Sequence, residues 1–344
     1  MDSKISMSQP ARISYAIMAG ALVLIGCFHL GTLVLTVLFG FFALQLFSLG
    51  RSKYLGLTLY VVAVVLIGWG LFYFSRQAYL TLPKIAETTI PAVTEYAERQ
   101  GIELPFTDLA SLKSLALDEV KQDVAGAGRH ARAAAFKFVQ LAIGLVVAAS
   151  LFLNAGWGSE HEPGAARNSL YATVVRELSR RGQTFFRSFA RVIGAQIIIS
   201  AINTALTGVF LLWNGYPYVA VIAATTFLCG LLPIVGNLIS NTLIVFVGFT
   251  LSPRMALGAL IFLMVIHKLE YFLNSKIIGD RIKNPMWLTL IGLVLGEKLM
   301  GVPGMILAPV VLHYLKIEAS QNKVADAPAE TAGPRPPAGT QPPR

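Results

Sequence analysis

Charge is what this chain has least of. Only 13% of its 344 residues are Asp, Glu, Lys or Arg, about half the share of an ordinary soluble domain. Nearly uncharged runs of membrane-crossing length recur from Tyr15 to Leu315, and no stretch between them is long enough for an ordinary catalytic domain. Cysteine is almost missing too. Cys27 and Cys229 both lie in apolar runs, with neither metal-ligand spacing nor a disulfide framework, as small buried hydrophobes do. Gly-x-Ser-x-Gly, His-Glu-x-x-His and the phosphate-binding Gly-x-x-x-x-Gly-Lys are all absent. His29, His130, His161 and His313 are scattered without ligand spacing, and Trp157-Gly158-Ser159-Glu160-His161-Glu162 reads as a polar loop rather than a metal site. The expectation is no enzyme, no cofactor and no metal.

What is present is apolar: 55% of the chain is hydrophobic and its mean hydropathy is +0.64. The net charge of +10 does not point to nucleic acid. The basic residues sit between apolar runs, as the positive-inside rule predicts, and form no continuous face. Lys4 and Arg12 precede the first apolar run in the manner of a signal peptide. A second run starts at Gly31 and no clear cleavage site precedes it, so a helical hairpin is expected instead.

The fold class expected is an all-α polytopic membrane protein. It has about eight transmembrane helices, a broken or re-entrant C-terminal hairpin and an amphipathic external segment. Residues 1–74 hold three spans, near Tyr15–Leu30, Thr32–Leu49 and Tyr54–Phe74. Lys4, Arg12, Arg51 and Lys53 put both termini of the first hairpin in the cytoplasm. Residues 75–133 are a polar external segment, with Leu109, Leu112, Leu115, Val120 and Val124 at roughly helical spacing. Residues 134–153 form a fourth span, and residues 154–191 an Arg-rich cytoplasmic segment. Residues 192–316 are the core transport region. They hold spans near Val192–Leu212, Tyr218–Leu232, Leu238–Leu251 and Met255–Asn274, then the apolar stretch Pro285–Tyr314 with its Gly and Pro breaks. Residues 317–344 are a Pro-rich tail that cannot bury a core, returning the C-terminus to the cytoplasm.

Three constellations stand out. Gln196, Ser200, Asn203 and Thr207 fall within about 60° of helical arc and make one polar stripe on an apolar helix. Interhelical hydrogen bonding and pathway lining both fit it. Pro233 and Gly236 break an apolar stretch, and Asn237, Ser240 and Asn241 follow on one face, which suits either a tight interfacial turn or a functional hinge. His267, Glu270 and Asn274 share a face of the eighth span, with Lys268 on another. An acid there serves a coupling ion or proton, a structural ion pair, or a hydrated pair near the headgroups.

In their order these motifs resemble the autoinducer-2 exporter (AI-2E) family, the PerM-like permeases. The resemblance is carried over Arg180–Lys316 by an Arg-rich helix leading into Gly194-Ala195-Gln196 and by Trp213-Asn214-Gly215-Tyr216-Pro217-Tyr218. Leu232-Pro233-Ile234-Val235-Gly236-Asn237, Asn274-Ser275-Lys276-Ile277-Ile278-Gly279 and Gly296 to Pro309 complete it. The family's Pro-x-x-Gly break matches Pro233 and Gly236. Its final hairpin matches Gly301 and Gly304, and its last proline Pro309. The chain departs from the pattern at Tyr271, Phe272 and Ser275.

The resemblance implies a non-enzymatic inner-membrane transporter of a small solute, and a homo-oligomer. Some members are described as autoinducer-2 exporters, others as sodium/proton antiporters. The expected partners are therefore the lipid bilayer and a small-molecule solute, or a monovalent cation or proton. The expected pathway residues are Gln196, Ser200, Asn203, Thr207, Pro233, Gly236, Asn237, Asn241, Gly301, Gly304 and Pro309. The expected gate or coupling residues are His267, Glu270 and Asn274. A membrane-embedded enzyme and a non-transporting scaffold are the rivals outside transport.

Overall fold

Low charge and high hydropathy leave helices as the economical way to satisfy backbone groups in lipid. The computed structural model describes residues 8–48, 52–101, 127–154, 169–232, 235–278 and 285–321. Among these it holds ten α-helices and no strand. They are α1 (Gln9–Cys27), α2 (Gly31–Ser48), α3 (Lys53–Arg99), α4 (Ala127–Leu153) and α5 (Leu170–Trp213). Then come α6 (Val219–Gly230), α7 (Val235–Leu251), α8 (Pro253–Ile278), α9 (Met286–Met300) and α10 (Val302–Gln321). Seven described helices are long and apolar enough to cross a membrane, and α6 and α7 are shorter apolar helices. This is a multi-pass membrane protein.

Two elements are longer than hydropathy suggested. The polar stretch after Phe74 begins as a continuation of α3, which runs to Arg99 through Pro83 and Pro91. It does so because its second half has a buried face: Thr81, Ile85, Thr89, Thr94 and Ala97 recur at helical spacing and are all buried. Ile85 enters one core with Leu211, Tyr216, Ile222, Ile244 and Val247 from α5, α6, α7 and the α5–α6 turn. The amphipathic pattern from Leu109 to Val124 and the loop from Trp157 to Glu162 lie outside the described residues. The described part of the Arg-rich segment from Leu170 onward, likewise, is the first half of α5. Ser169 caps that helix by accepting a hydrogen bond from the Ala172 amide at 3.1 Å.

Helix α5 is the axis of the molecule. Its 44 residues extend about 66 Å at 1.5 Å per residue, and it packs on α1, α2, α6, α8 and α10. A second core joins α2, α3 and α4 through Leu44, Tyr60, Ala148 and Phe152. A third joins α2, α5 and α10 through Phe189, Ile193, Leu307 and Val310.

The two ends of the described chain meet. Tyr15 Oη donates to Glu318 Oε1 at 3.0 Å, and Tyr314 Oη donates to Met18 Sδ at 3.7 Å. At the other end of the same helices the His29 ring Nδ1 lies 3.2 Å from the Leu299 carbonyl, and Gly31 abuts Met300 and Pro303. Helices α1 and α10 are therefore antiparallel. The stretch Pro285–Tyr314 is a helical hairpin turned at Gly301 (φ +67°), and its tip reaches the α1–α2 turn.

Candidate functional site

The polar stripe on α5 divides its work. Ser200 Oγ donates to the Phe227 carbonyl at 2.7 Å, and Gln196 Nε2 to the Gly230 carbonyl at 2.6 Å. Both acceptors are in the last turn of α6, where a helix leaves carbonyls without intrahelical partners. These two side chains therefore cap a helix that stops inside the bundle. With 12 residues, α6 spans only about 18 Å, too short for a hydrocarbon core of about 30 Å. Close approach demands glycine here. A Cβ on Gly230 would stand 3.1 Å from that of Ser200, and one on Gly236 would collide with the Cys229 carbonyl. Ser200→Ala and Gln196→Ala are each expected to lower stability by roughly 0.6–1.7 kcal/mol. Thermal unfolding in detergent measures the loss.

Asn203 serves a different partner. Its Nδ2 donates to Glu270 Oε2 at 3.3 Å, and Asn237 Nδ2 lies 3.0 Å and 2.8 Å from the two Glu270 oxygens. One carboxylate thus ties α5, α7 and α8 together through two amides. Asn203 is 8% exposed, and its Oδ1 has no hydrogen-bond partner among the described residues. Along α8, Glu270 lies 14 residues beyond Ala256, about 21 Å. Ala256 packs beneath Gly248 near Tyr216, at the end of the bundle marked by Trp213, Tyr216 and Tyr218. The carboxylate is therefore well away from that aromatic end, and it is half-buried.

The remaining expected residues are spread more widely. His267 is exposed on α8, and no hydrogen bond or ion pair among the described residues joins it to Glu270. Asn274 is in α8, but its side chain lies outside the described residues, as does Pro233. Asn241 is half-buried on α7 and Thr207 is buried on α5. Gly304 is at the α9–α10 contact, Gly301 at its turn and Pro309 inside α10. No group of three or more His, Cys, Asp or Glu able to hold a metal occurs among the described residues.

A second polar cluster escaped the sequence analysis. Arg181 on α5 is 2% exposed and donates from Nη1 to Glu318 Oε1 of α10 at 2.7 Å. Its Nη2 donates to Glu177 Oε2 at 3.3 Å, and its guanidinium carbon stands 3.5 Å from the centre of the Tyr15 ring on α1. Arg180 approaches Glu318 at 3.7 Å. Two cations and two anions thus balance where α1, α5 and α10 converge. Elsewhere on α10, His313 is buried with both ring nitrogens unbonded among the described residues. One signal was available in the sequence. Arg181 lies 22 residues before Asn203, within about 40° on a helical wheel, so it extends the stripe's face by six turns.

Comparison with known proteins agrees with this architecture. A family model described as the AI-2E family transporter matches residues 30–321. A Bacillus subtilis (strain 168) protein named "Putative transport protein YdbI" is 29% identical over 160 residues. That match covers 46% of this chain and 46% of the relative, so the chain aligns with less than half of that protein's length.

Proposed function

The chain belongs to the AI-2E transporter family, and from that premise we propose that it exports or exchanges a small hydrophilic, autoinducer-2-like solute across a bacterial inner membrane. Both termini would be cytoplasmic by the positive-inside rule, since Lys4 and Arg12 precede the first apolar run in the sequence and Arg51 and Lys53 follow the second. Homo-oligomeric assembly belongs to the same proposal. The observation that carries the reading is the Glu270 carboxylate held between Asn203 and Asn237. An acid at membrane depth is costly and marks a solute or ion path more often than a lipid contact. It sits beside a helix break at α6–α7, where irregular backbone is tolerated because protein or a cavity surrounds it. The amides hold the acid until solute or a proton competes for it, and release would separate α7 and α8 from α5.

Glu270→Gln removes the charge and keeps the shape. In proteoliposomes loaded with autoinducer-2 this variant is expected to lose at least about tenfold in flux, equivalent to roughly 1.4 kcal/mol of barrier. Unchanged rate and pH dependence would remove Glu270 from the mechanism. A second reading, sodium/proton antiport, draws on the Asn203 Oδ1, which has no hydrogen-bond partner among the described residues and leaves an amide oxygen for a hard cation. Imposing a sodium gradient without solute separates the two, since only an antiporter then moves protons.

A further inference from the structure

The end of the bundle farthest from the Arg181 cluster carries a groove that the transport reading does not use. It lies between the last turns of α3 and α7 and the first turns of α8, with a volume of about 320 Å³, the lower end of what ligand sites enclose. Tyr96, Phe249, Pro253, Leu257 and Leu260 form apolar walls, and Arg254 is the one charged residue among the described residues lining it. The rings of Tyr96 and Phe249 pack 5.6 Å apart and floor the groove where α3 crosses α7.

Two features say what this groove receives. First, it is continuous with a lipid-facing surface. Leu257 is 59% exposed and Leu260 50%, and Ile261 and Met264 extend the same bare face along α8 into the membrane-spanning part. Second, its polar end is cationic. Arg254 is exposed and makes no ion pair among the described residues, whereas the acid Glu95, one residue before Tyr96 on α3, is already paired with Arg99. Ser252 caps α8 by accepting from the Met255 amide at 3.1 Å, so the positive end of the α8 dipole points to the same place. A trough open to acyl chains with a cation at headgroup level is complementary to an anionic amphiphile.

We propose that this groove binds one anionic phospholipid per subunit, its phosphate on Arg254 and an acyl chain along Leu257 and Leu260. The bound lipid fills the gap between α3 and the α7–α8 hairpin and holds them in register.

The test uses the full-length protein in detergent, with phosphatidylglycerol or phosphatidylcholine added and the bound lipid counted by native mass spectrometry. The wild type is expected to retain one phosphatidylglycerol per subunit in preference to phosphatidylcholine. Arg254→Gln is expected to reduce that preference about fivefold, the usual contribution of one basic residue at an anionic surface, while Arg254→Lys keeps most of it. Leu260→Trp, which fills the trough, is expected to lower retention of the lipid whatever its headgroup. Equal retention of the two lipids by the wild type, or an unchanged preference in Arg254→Gln, overturns the proposal. Glycerol phosphate competing as well as the whole lipid would also overturn it, because the trough would then contribute nothing.

Discussion

Arg181→Ala is expected to destabilise the bundle by about 3–5 kcal/mol, enough to shift the folded-to-unfolded ratio at least a hundredfold. The reason is what the substitution leaves behind. Glu318 is 6% exposed and takes its closest hydrogen bond, 2.7 Å, from Arg181. Without the guanidinium, the cation left near it among the described ion pairs is the half-exposed Arg180 at 3.7 Å. The Tyr15 ring also loses the cation stacked on it, and α1 is tied to α10 here by that ring's hydroxyl. Removing both charges tells a different story. Arg181→Met together with Glu318→Leu leaves no stranded ion, and buried pairs exchanged for apolar residues of similar volume are often neutral. The double variant is therefore expected to recover most of the stability lost by the single one. Thermal unfolding in detergent, followed by tryptophan fluorescence, checks both. A single variant as stable as the wild type would mean that water or headgroups already solvate the cluster.

Gly304→Ala is the second large effect. Helices α9 and α10 meet backbone to backbone. A Cβ on Gly304 would stand 3.0 Å from the Gly296 Cα and inside contact with its carbonyl, and a Cβ on Gly296 would stand 2.7 Å from the Gly304 carbonyl carbon. Gly292 and Ala308 continue the seam, with 3.7 Å between the Ala308 Cβ and a Cβ built on Gly292. This is the small-residue packing by which membrane helices gain van der Waals contact in lipid. One methyl group at the tightest point must push the helices apart, at a cost of about 1–3 kcal/mol. The hairpin tip would then lift from Gly31 and the α1–α2 turn. Gly208→Ala on α5 is the control: nothing lies within 4 Å of its added Cβ, and alanine there gains up to about 1 kcal/mol of helix propensity. Unfolding temperatures that drop for Gly304→Ala and hold or rise for Gly208→Ala meet the expectation.

The glycine contacts show how much of the fold was legible beforehand. Gly296, Gly301, Pro303 and Gly304 stood out because they interrupt an apolar run, and interruption is a local property. The same holds for the short α6 and α7 on either side of Pro233. The end of α3 was harder. Hydropathy falls after Phe74, yet the helix continues for 25 residues because Ile85 and its neighbours find the α6–α7 pair to bury against. Polarity marks the end of the membrane-like stretch, not the end of the helix.

The candidate site divides along the same line. The stripe from Gln196 to Thr207 and the acid at Glu270 were visible as side chains that a helix in lipid should not carry. Their partners were not, since Glu270 takes its bonds from residues 67 and 33 positions away. Nor could the sequence foresee that Ser200 and Gln196 cap a broken helix while Asn203, one turn on, holds a carboxylate. Periodicity had grouped His267 with Glu270, but tertiary packing left the histidine exposed.

The sequence by itself determined that this chain is helical, that it crosses a membrane several times and where its helices break, because these follow from the energy of placing each residue and each backbone amide in lipid. Only the tertiary structure decided which polar groups meet. Arg181 and Glu318 are 137 residues apart, and no local rule records a pairing that exists only once α1, α5 and α10 have converged.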